Sequence, residues 1–147
     1  MNNFILLSGV TKLFPPETKI LVVEDTLPIR EIITSFLRNL GFKNITEADD
    51  VGQALKALAT ASETYTPFEL IISDWKMPGL TGMDLLTSVR RKPEWTKIPF
   101  VFLTSESRQD QIIRAIQAGA NNYILKPLIE DTLRDKLRRT WDQLNKA

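Results

Sequence analysis

Five polar residues of the sequence have the chemistry for metal and phosphate binding, and they lie at the ends of short apolar runs. In chain order they are Glu24, Asp25, Asp74, Thr104 and Lys126. Three carboxylates held together would repel one another and raise each other's pKa, and a divalent cation with oxygen ligands, such as Mg²⁺, relieves that repulsion. An aspartate can attack a phosphoryl group to form an acyl phosphate, while an ammonium and a hydroxyl stabilise the phosphoryl oxygens. If these residues meet in the fold, they predict phosphoryl transfer to Asp74 at a Mg²⁺ site.

The elements that must bring these residues together are five predicted strands, each followed by a predicted helix. The strands cover residues 19–23, 43–48, 68–72, 100–103 and 123–125. Short apolar runs are typical of strands buried on both faces, and their alternation with helices indicates a parallel sheet covered on both sides. Because the carboxyl ends of parallel strands share one edge, the five polar residues can converge there.

Cap residues and apolar spacing predict the helices. Pro28 lies in the first turn of the first helix, and Gly41 lies where that helix should end. Asp49 or Asp50 is placed to cap the second helix. The fourth helix is predicted over about residues 108–118. Its expected inward-facing residues are Ile112, Ile113 and Ile116.

The composition indicates one domain and excludes several kinds of site. With 147 residues, 43% of them hydrophobic, the chain can form a full core. The formal net charge of +1 provides no global basic field for direct binding of nucleic acid. The sequence has no cysteine and no histidine. It therefore cannot form disulfides, thiol or zinc–thiolate sites, or act as a histidine phosphodonor.

Residues 1–18 are predicted to form an N-terminal arm outside the main domain, which covers residues 19–147. The apolar run at residues 4–7 is too short to span a bilayer. It also lacks the preceding positive charge of a signal peptide. We expect no chemistry and no membrane insertion from this arm, and we expect a cytoplasmic protein.

A set of motifs is specific when taken together. They are Glu24-Asp25, Ser73-Asp74-Trp75-Lys76-Met77-Pro78-Gly79, Thr104-Ser105-Glu106, Ala118-Gly119-Ala120, Tyr123 and Lys126-Pro127. In combination, and over about residues 19–145, the chain resembles receiver domains of two-component response regulators, in particular the CheY-like single-domain chemotaxis type. The resemblance implies an α/β, flavodoxin-like (βα)5 fold, doubly wound around a five-stranded parallel sheet in the order 2-1-3-4-5.

The resemblance implies that Asp74 is the phosphoacceptor in a phosphorelay. Asp74, Glu24, Asp25 and the backbone carbonyl of Lys76 are then the expected ligands of Mg²⁺. The donor would be a histidine kinase or a phosphotransfer protein. The chain itself would be no enzyme, although it assists its own phosphorylation and dephosphorylation.

The resemblance also assigns the remaining site residues. Thr104 and Lys126 are expected to contact the phosphoryl group, and the bond between Lys126 and Pro127 is expected to be cis. Tyr123 is the expected switch aromatic, which fills the space that Thr104 leaves when it moves toward the phosphate. Tyr123 could also be an ordinary core residue of a strand.

Two residues depart from the pattern of the relatives. Lys76 stands where receiver domains of the CheY-like type carry Asn, and we predict that Lys76 pairs with Glu106 across the mouth of the site. Such a pair would hinder the attacking water and lengthen the lifetime of the phosphorylated state. Glu24 stands where Asp is commoner, and its longer side chain should still reach the metal or a bound water.

The expected output surface is the face of the fourth helix, the fifth strand and the fifth helix. Its predicted residues are Arg108, Gln111, Arg114, Gln117 and Tyr123. Because the last predicted helix runs to the C-terminus, we expect output through protein contact. The target would be the flagellar motor or another effector, and the chain would be a monomer or a weak dimer.

Parts of the sequence are also compatible with other functions. The chain could be a stand-alone phosphorelay intermediate that passes its phosphoryl group to another protein. A Mg²⁺-dependent aspartyl-phosphate phosphatase of the haloacid dehalogenase type would need a second Asp at position 76, where this chain has Lys76. A flavodoxin would need a phosphate-cradling loop after the first strand, and a pseudo-receiver would be expected to lack the acids or the lysine. Taken alone, Asp74 could equally be a loop cap.

Overall fold

The protein, as a computed structural model that describes residues 13–146, alternates strands and helices along the chain. The strands are β1 (Ile20–Val23), β2 (Ile45–Ala48), β3 (Leu70–Asp74), β4 (Phe100–Thr104) and β5 (Asn122–Leu125). The helices are α1 (Leu27–Asn39), α2 (Val51–Glu63), α3 (Gly82–Arg91), α4 (Gln109–Gln117) and α5 (Glu130–Leu144).

The five strands form one parallel sheet in the order β2-β1-β3-β4-β5. This confirms the predicted flavodoxin-like fold and its strand order. Strands β1, β3 and β4 lie in the middle of the sheet, and every residue in them is buried. Their carboxyl ends, where the predicted site residues lie, therefore emerge from the buried centre of the sheet.

Alternate residues of each strand face two apolar layers. On β1, Leu21 and Val23 pack with buried residues of α2, α3 and α4, whereas Ile20 and Val22 pack with those of α1 and α5. A strand covered on both faces needs apolar residues at successive positions. This double coverage explains why the strands appear in the sequence as continuous apolar runs.

The helix boundaries follow from local cap chemistry. Asp50, rather than Asp49, caps α2, because its side chain accepts a hydrogen bond of 2.7 Å from the backbone N–H of Gln53. Pro28 lies in the first turn of α1. Gly41 follows the end of α1 with φ of +102°, a conformation that glycine adopts without the steric cost of a Cβ.

Helix α4 lies differently on the sheet from what its apolar spacing predicts. Ile113 and Ile116 are 47% and 45% exposed, so their predicted inward orientation is wrong. Ala115 is the only residue of α4 that is buried. The rings of Phe100 and Phe102 already occupy this layer, so the helix packs through a small side chain.

Part of the predicted N-terminal arm packs onto the domain. Residues 1–12 lie outside the described residues. Phe14 is buried and contacts the Trp141 ring edge-to-face, with ring centroids 5.0 Å apart. Within residues 13–146, none of the helices combines the length and apolar character needed to cross a bilayer.

Gly82 allows the start of α3 to lie directly against the end of β3. Its backbone N–H donates to the carbonyl oxygen of Trp75 at 2.8 Å. A Cβ at this position would overlap the carbonyl oxygen of Asp74 and come within 2.8 Å of the Phe102 ring. The loop that follows Asp74 is therefore fixed by close backbone contact, which only glycine permits here.

Replacement of Gly82 should destabilise the protein. We expect Gly82→Ala to lower the free energy of unfolding by about 1–3 kcal/mol, the usual effect of overpacking, as measured by urea denaturation. The matched control is Gly52→Ala in α2, where the nearest atom to a Cβ is the Asp50 carboxylate oxygen at 3.4 Å. The control should be neutral or stabilising, and equal losses for both variants would contradict the close-contact explanation.

Candidate functional site

The strand register determines which polar residues meet at the carboxyl edge of the sheet. Val23 of β1 pairs with Ser73 of β3, so the next residues, Glu24 and Asp74, emerge side by side. Thr104 ends the neighbouring strand β4. The chain therefore delivers its acidic residues from the two central strands and its hydroxyl from the next one.

The carboxylates of Glu24, Asp25 and Asp74 form one cluster. One ligand oxygen from each lies within 4.8 Å of the others. Glu24 and Asp74 are almost completely buried, and Asp25 is more open to solvent. Mg²⁺ prefers oxygen ligands and retains several waters. The donor set and its opening toward solvent at Asp25 therefore fit Mg²⁺.

The ammonium of Lys126 bridges the two buried carboxylates. Its Nζ lies 3.3 Å from Oδ1 of Asp74 and 3.4 Å from Oε1 of Glu24. The backbone N–H of Lys126 donates to the carbonyl of Thr104 at 2.8 Å, which anchors this residue to the end of β4. The predicted cis bond between Lys126 and Pro127 is confirmed. One ammonium serves two carboxylates, so the cluster keeps excess negative charge.

Burial raises the pKa of both Glu24 and Asp74, because the ionised carboxylates lose hydration. Each group has partial compensation. The N–H of Thr26 donates to Glu24 at 3.1 Å, the N–H of Trp75 donates to Asp74 at 2.8 Å, and Lys126 lowers the pKa of both carboxyls. These contacts do not cancel the effect of burial, so a bound cation would favour the ionised forms.

Thr104 is buried at the end of β4 and is held by the next loop. Its Oγ1 accepts a hydrogen bond of 2.9 Å from the backbone N–H of Glu106. The hydroxyl proton remains available as a donor. Thr104 is thus placed at the edge of the site with the donor capacity that a phosphoryl oxygen requires.

The predicted ion pair between Lys76 and Glu106 is not formed. Glu106 pairs instead with Arg108, whose Nε lies 3.1 Å from Oε2. Arg108 follows Glu106 by only two residues and offers both its backbone N–H and its guanidinium, so it reaches the carboxylate at low entropic cost. These hydrogen bonds, more than the charge of Lys76, hold the pKa of Glu106 below its usual value.

Lys76 lies in the loop after β3 with its side chain exposed. The preceding residue, Trp75, stacks on Phe102 with ring centroids 4.9 Å apart. The loop is therefore anchored at Trp75, and Lys76 projects from it near the site. That the Lys76 carbonyl binds metal and that its side chain affects phosphate lifetime remain predictions.

Tyr123 is half-buried on β5 and packs at the border of the layer formed by α2, α3 and α4. The ammonium of Lys136 lies 4.5 Å from the centroid of its ring, within the range of a cation–π contact. Among the other predicted output residues, Arg108, Arg114 and Gln117 are exposed and Gln111 is half-buried. Their surface carries two arginines and adjoins the exposed isoleucines of α4.

Two residues that support the site were not predicted. Arg30 donates to the Glu24 carbonyl at 2.7 Å and to the Glu47 carboxylate at 2.9 Å, and Lys136 lies over Tyr123. Arg30 joins α1 to the loop after β1 and to β2, and Lys136 joins α5 to β5. The sequence offered one signal for the role of Arg30, its position in the first turn of the helix after the acidic loop. Helical side chains point toward the N-terminus, and therefore back toward that loop.

Comparison with known proteins agrees with this geometry. The profile of the family described as "Response regulator receiver domain" matches residues 20–138. A chemotaxis protein CheY from Pseudomonas aeruginosa is 41% identical over 127 residues, which are 86% of this chain and 98% of the relative. Chemotaxis protein CheY-3 from Vibrio cholerae is 41% identical over 126 residues, 86% and 93% of the two chains.

A solved structure shows the same fold. Chemotaxis protein CheY4 of Vibrio cholerae superposes with a TM-score of 0.74 at 30% sequence identity. The match covers 84% of this chain and 98% of that chain. Residues 13–18, with the buried Phe14, precede the family match, which begins at residue 20.

Neutralising Asp74 should stabilise the metal-free protein. When the pKa of a carboxyl is higher in the folded than in the unfolded protein, the free energy of unfolding falls as pH rises from about 4 toward neutral. The reason is that the carboxyl ionises more readily in the unfolded chain. We therefore expect Asp74→Asn to raise the free energy of unfolding at pH 7 by about 0.5–2 kcal/mol, as buried functional charges commonly oppose stability.

The same variant should show a weaker fall of stability between pH 4 and pH 7, measured by urea denaturation at each pH. The control is Asp142→Asn, which makes the same charge change at an exposed position of α5. A loss of stability in Asp74→Asn at pH 7 would show that Lys126 more than compensates the burial of Asp74.

Proposed function

The chain belongs to the family of response regulator receiver domains, and on this premise we propose that it is a switch controlled by phosphorylation of Asp74. The phosphoryl donor is a phosphohistidine on a kinase or phosphotransfer protein. The observation that carries the proposal is the position of the Asp74 carboxylate. It ends a buried strand, lies 3.3 Å from the ammonium of Lys126 and belongs to a cluster of three carboxylates.

In the transfer step, a carboxylate oxygen of Asp74 attacks phosphorus. The phosphorus–nitrogen bond of the donor breaks, and the imidazole nitrogen keeps the electron pair. Lys126 stabilises one phosphoryl oxygen, and the hydroxyl of Thr104 donates to another. In the reverse process water attacks phosphorus, inorganic phosphate leaves and the carboxylate of Asp74 is restored.

Glu24, Asp25 and Asp74 are the side chains that would hold Mg²⁺, with the Lys76 carbonyl as the further protein ligand implied by the family. The bound ion supplies positive charge to the carboxylates and the phosphoryl oxygens. Lys126 can then turn from its carboxylate partners to the phosphoryl group. The resting ion pairs of Lys126 thus keep the ammonium where the reaction needs it.

The response to the phosphoryl group is a shift between two states of the output face. Thr104 moves toward the phosphate, Tyr123 takes a new position, and the surface formed by α4, β5 and α5 gains affinity for a target protein. Because relatives bear the name chemotaxis protein, we place the chain in cytoplasmic chemotaxis signalling, with the flagellar motor or another effector as target. A phosphatase of the haloacid dehalogenase type would have an acid/base Asp at position 76, where this chain has Lys76. The chain therefore acts as a phosphoacceptor rather than a turnover enzyme.

Phosphorylation should depend on both Mg²⁺ and Asp74. With acetyl phosphate as donor, we expect intact-mass measurement to show one added phosphoryl group on the wild type, and no gain without Mg²⁺ or in Asp74→Asn. Fluorescence of Trp75, which stacks beside the site, should change in parallel. Asp142→Asn is the matched control and should be phosphorylated normally. A gain that persists in Asp74→Asn would overturn the proposed function.

Although Lys76 does not pair with Glu106, we propose that it still extends the phosphorylated lifetime, because its exposed side chain lies two residues from Asp74, where it can hinder the approach of water. Lys76→Ala is expected to speed loss of the phosphoryl mass, after removal of acetyl phosphate, by about two- to five-fold, the effect typical of a single exposed charge. Lys56→Ala, at an exposed position of α2, provides the control. An unchanged rate in Lys76→Ala would mean that this side chain has no part in the lifetime.

A further inference from the structure

Glu106 contacts both ends of the loop between β4 and α4. Its backbone N–H donates to Oγ1 of Thr104 at 2.9 Å. Its carboxylate accepts from the backbone N–H of Arg108 at 2.9 Å and from Nε of Arg108 at 3.1 Å. Glu106 therefore contacts two parts of the chain. One is the hydroxyl of Thr104, which is expected to move, and the other is the beginning of α4.

The contact also fixes the N-terminus of α4. Arg108 occupies the cap position of the helix, and its side chain makes no cap hydrogen bond. Instead, the carboxylate of Glu106 accepts a hydrogen bond from the backbone N–H of Arg108. A negative charge is favourable at this end of a helix. The Glu106 side chain is only 12% exposed, although that of Arg108 is 66% exposed. The guanidinium therefore lies over the carboxylate from the solvent side.

We propose that Arg108 is a positioning residue that holds Glu106, and through it the hydroxyl of Thr104, in the unphosphorylated arrangement. We call the contacts among these three residues the loop clamp. The role in switching rests on the proposed function, because it concerns the movement of Thr104 toward a phosphoryl group on Asp74. The hold on the resting loop is a property of the unmodified chain.

The clamp should stabilise the unphosphorylated conformation relative to the phosphorylated one. Movement of Thr104 toward Asp74 must alter its hydrogen bond to the N–H of Glu106, and Glu106 is tied to Arg108. A contact that is stronger in one of two states shifts the equilibrium toward that state. Loss of the guanidinium should therefore release the loop and make the phosphorylated conformation easier to reach.

The first test uses the unmodified protein. Amide hydrogen exchange, followed residue by residue by NMR, reports protection of the Glu106 N–H. We expect Arg108→Ala to speed its exchange about two- to five-fold, the effect typical of one exposed ion pair, and Arg108→Lys to have a smaller effect. Arg91→Ala removes the same charge from an exposed position of α3 and should leave the exchange unchanged.

The second test titrates each variant with beryllium fluoride, a phosphoryl mimic, in the presence of Mg²⁺ and follows tryptophan fluorescence. Arg108→Ala should reach half-saturation at about a two- to five-fold lower concentration of the mimic. Glu106→Gln should behave similarly. The double variant with Arg108→Ala should add little, because both changes break the same contact.

The outcomes separate the two proposals. Unchanged exchange at Glu106 in Arg108→Ala would overturn the clamp, whatever the mimic does. Faster exchange with an unchanged or higher half-saturation concentration would overturn its role in switching. A wild-type protein that gives no response to the mimic would overturn the proposed function, while the exchange result would still decide whether Arg108 holds the loop.

Discussion

Two carboxylates that the fold buries side by side need positive charge, and much of the site follows from that need. Glu24 and Asp74 leave the two central strands together, and Lys126 lies 3.4 Å and 3.3 Å from them. One ammonium does not balance both charges, and burial raises the pKa of each carboxyl. The resting chain thus retains a local electrostatic strain that a bound cation such as Mg²⁺ would relieve.

The same charges connect the site with the surface that would respond. Thr104 ends β4, Lys126 directly follows the neighbouring strand β5, and the two residues are joined by a backbone hydrogen bond of 2.8 Å. The chain continues from Thr104 through Glu106 into α4, and Tyr123 precedes Lys126 on β5 under the ammonium of Lys136. A change of charge at Asp74 would therefore act on groups that are only a few residues from the exposed faces of α4 and α5.

The alternation of strands and helices along the chain, and the convergence of the site residues, could be predicted because they depend on apolar runs and on the geometry of parallel sheets, whereas the order of the strands within the sheet was implied by the family resemblance. Contacts that decide orientation could not. The spacing of Ile113 and Ile116 indicates a helix, but which side meets the sheet depends on the space left by the Phe100 and Phe102 rings. Likewise, Glu106 prefers Arg108 to Lys76, a choice between two nearby cations that only side-chain positions reveal.

The identity of the phosphorylated atom is the central claim, and reductive trapping tests it most directly. Borohydride converts an aspartyl phosphate into homoserine, with release of phosphate, and leaves free carboxylates unchanged. After treatment with acetyl phosphate and Mg²⁺, peptide mapping by mass spectrometry should find homoserine at position 74 and nowhere else. Homoserine at another position, or an untouched Asp74 in protein that has gained a phosphoryl group, would contradict the account.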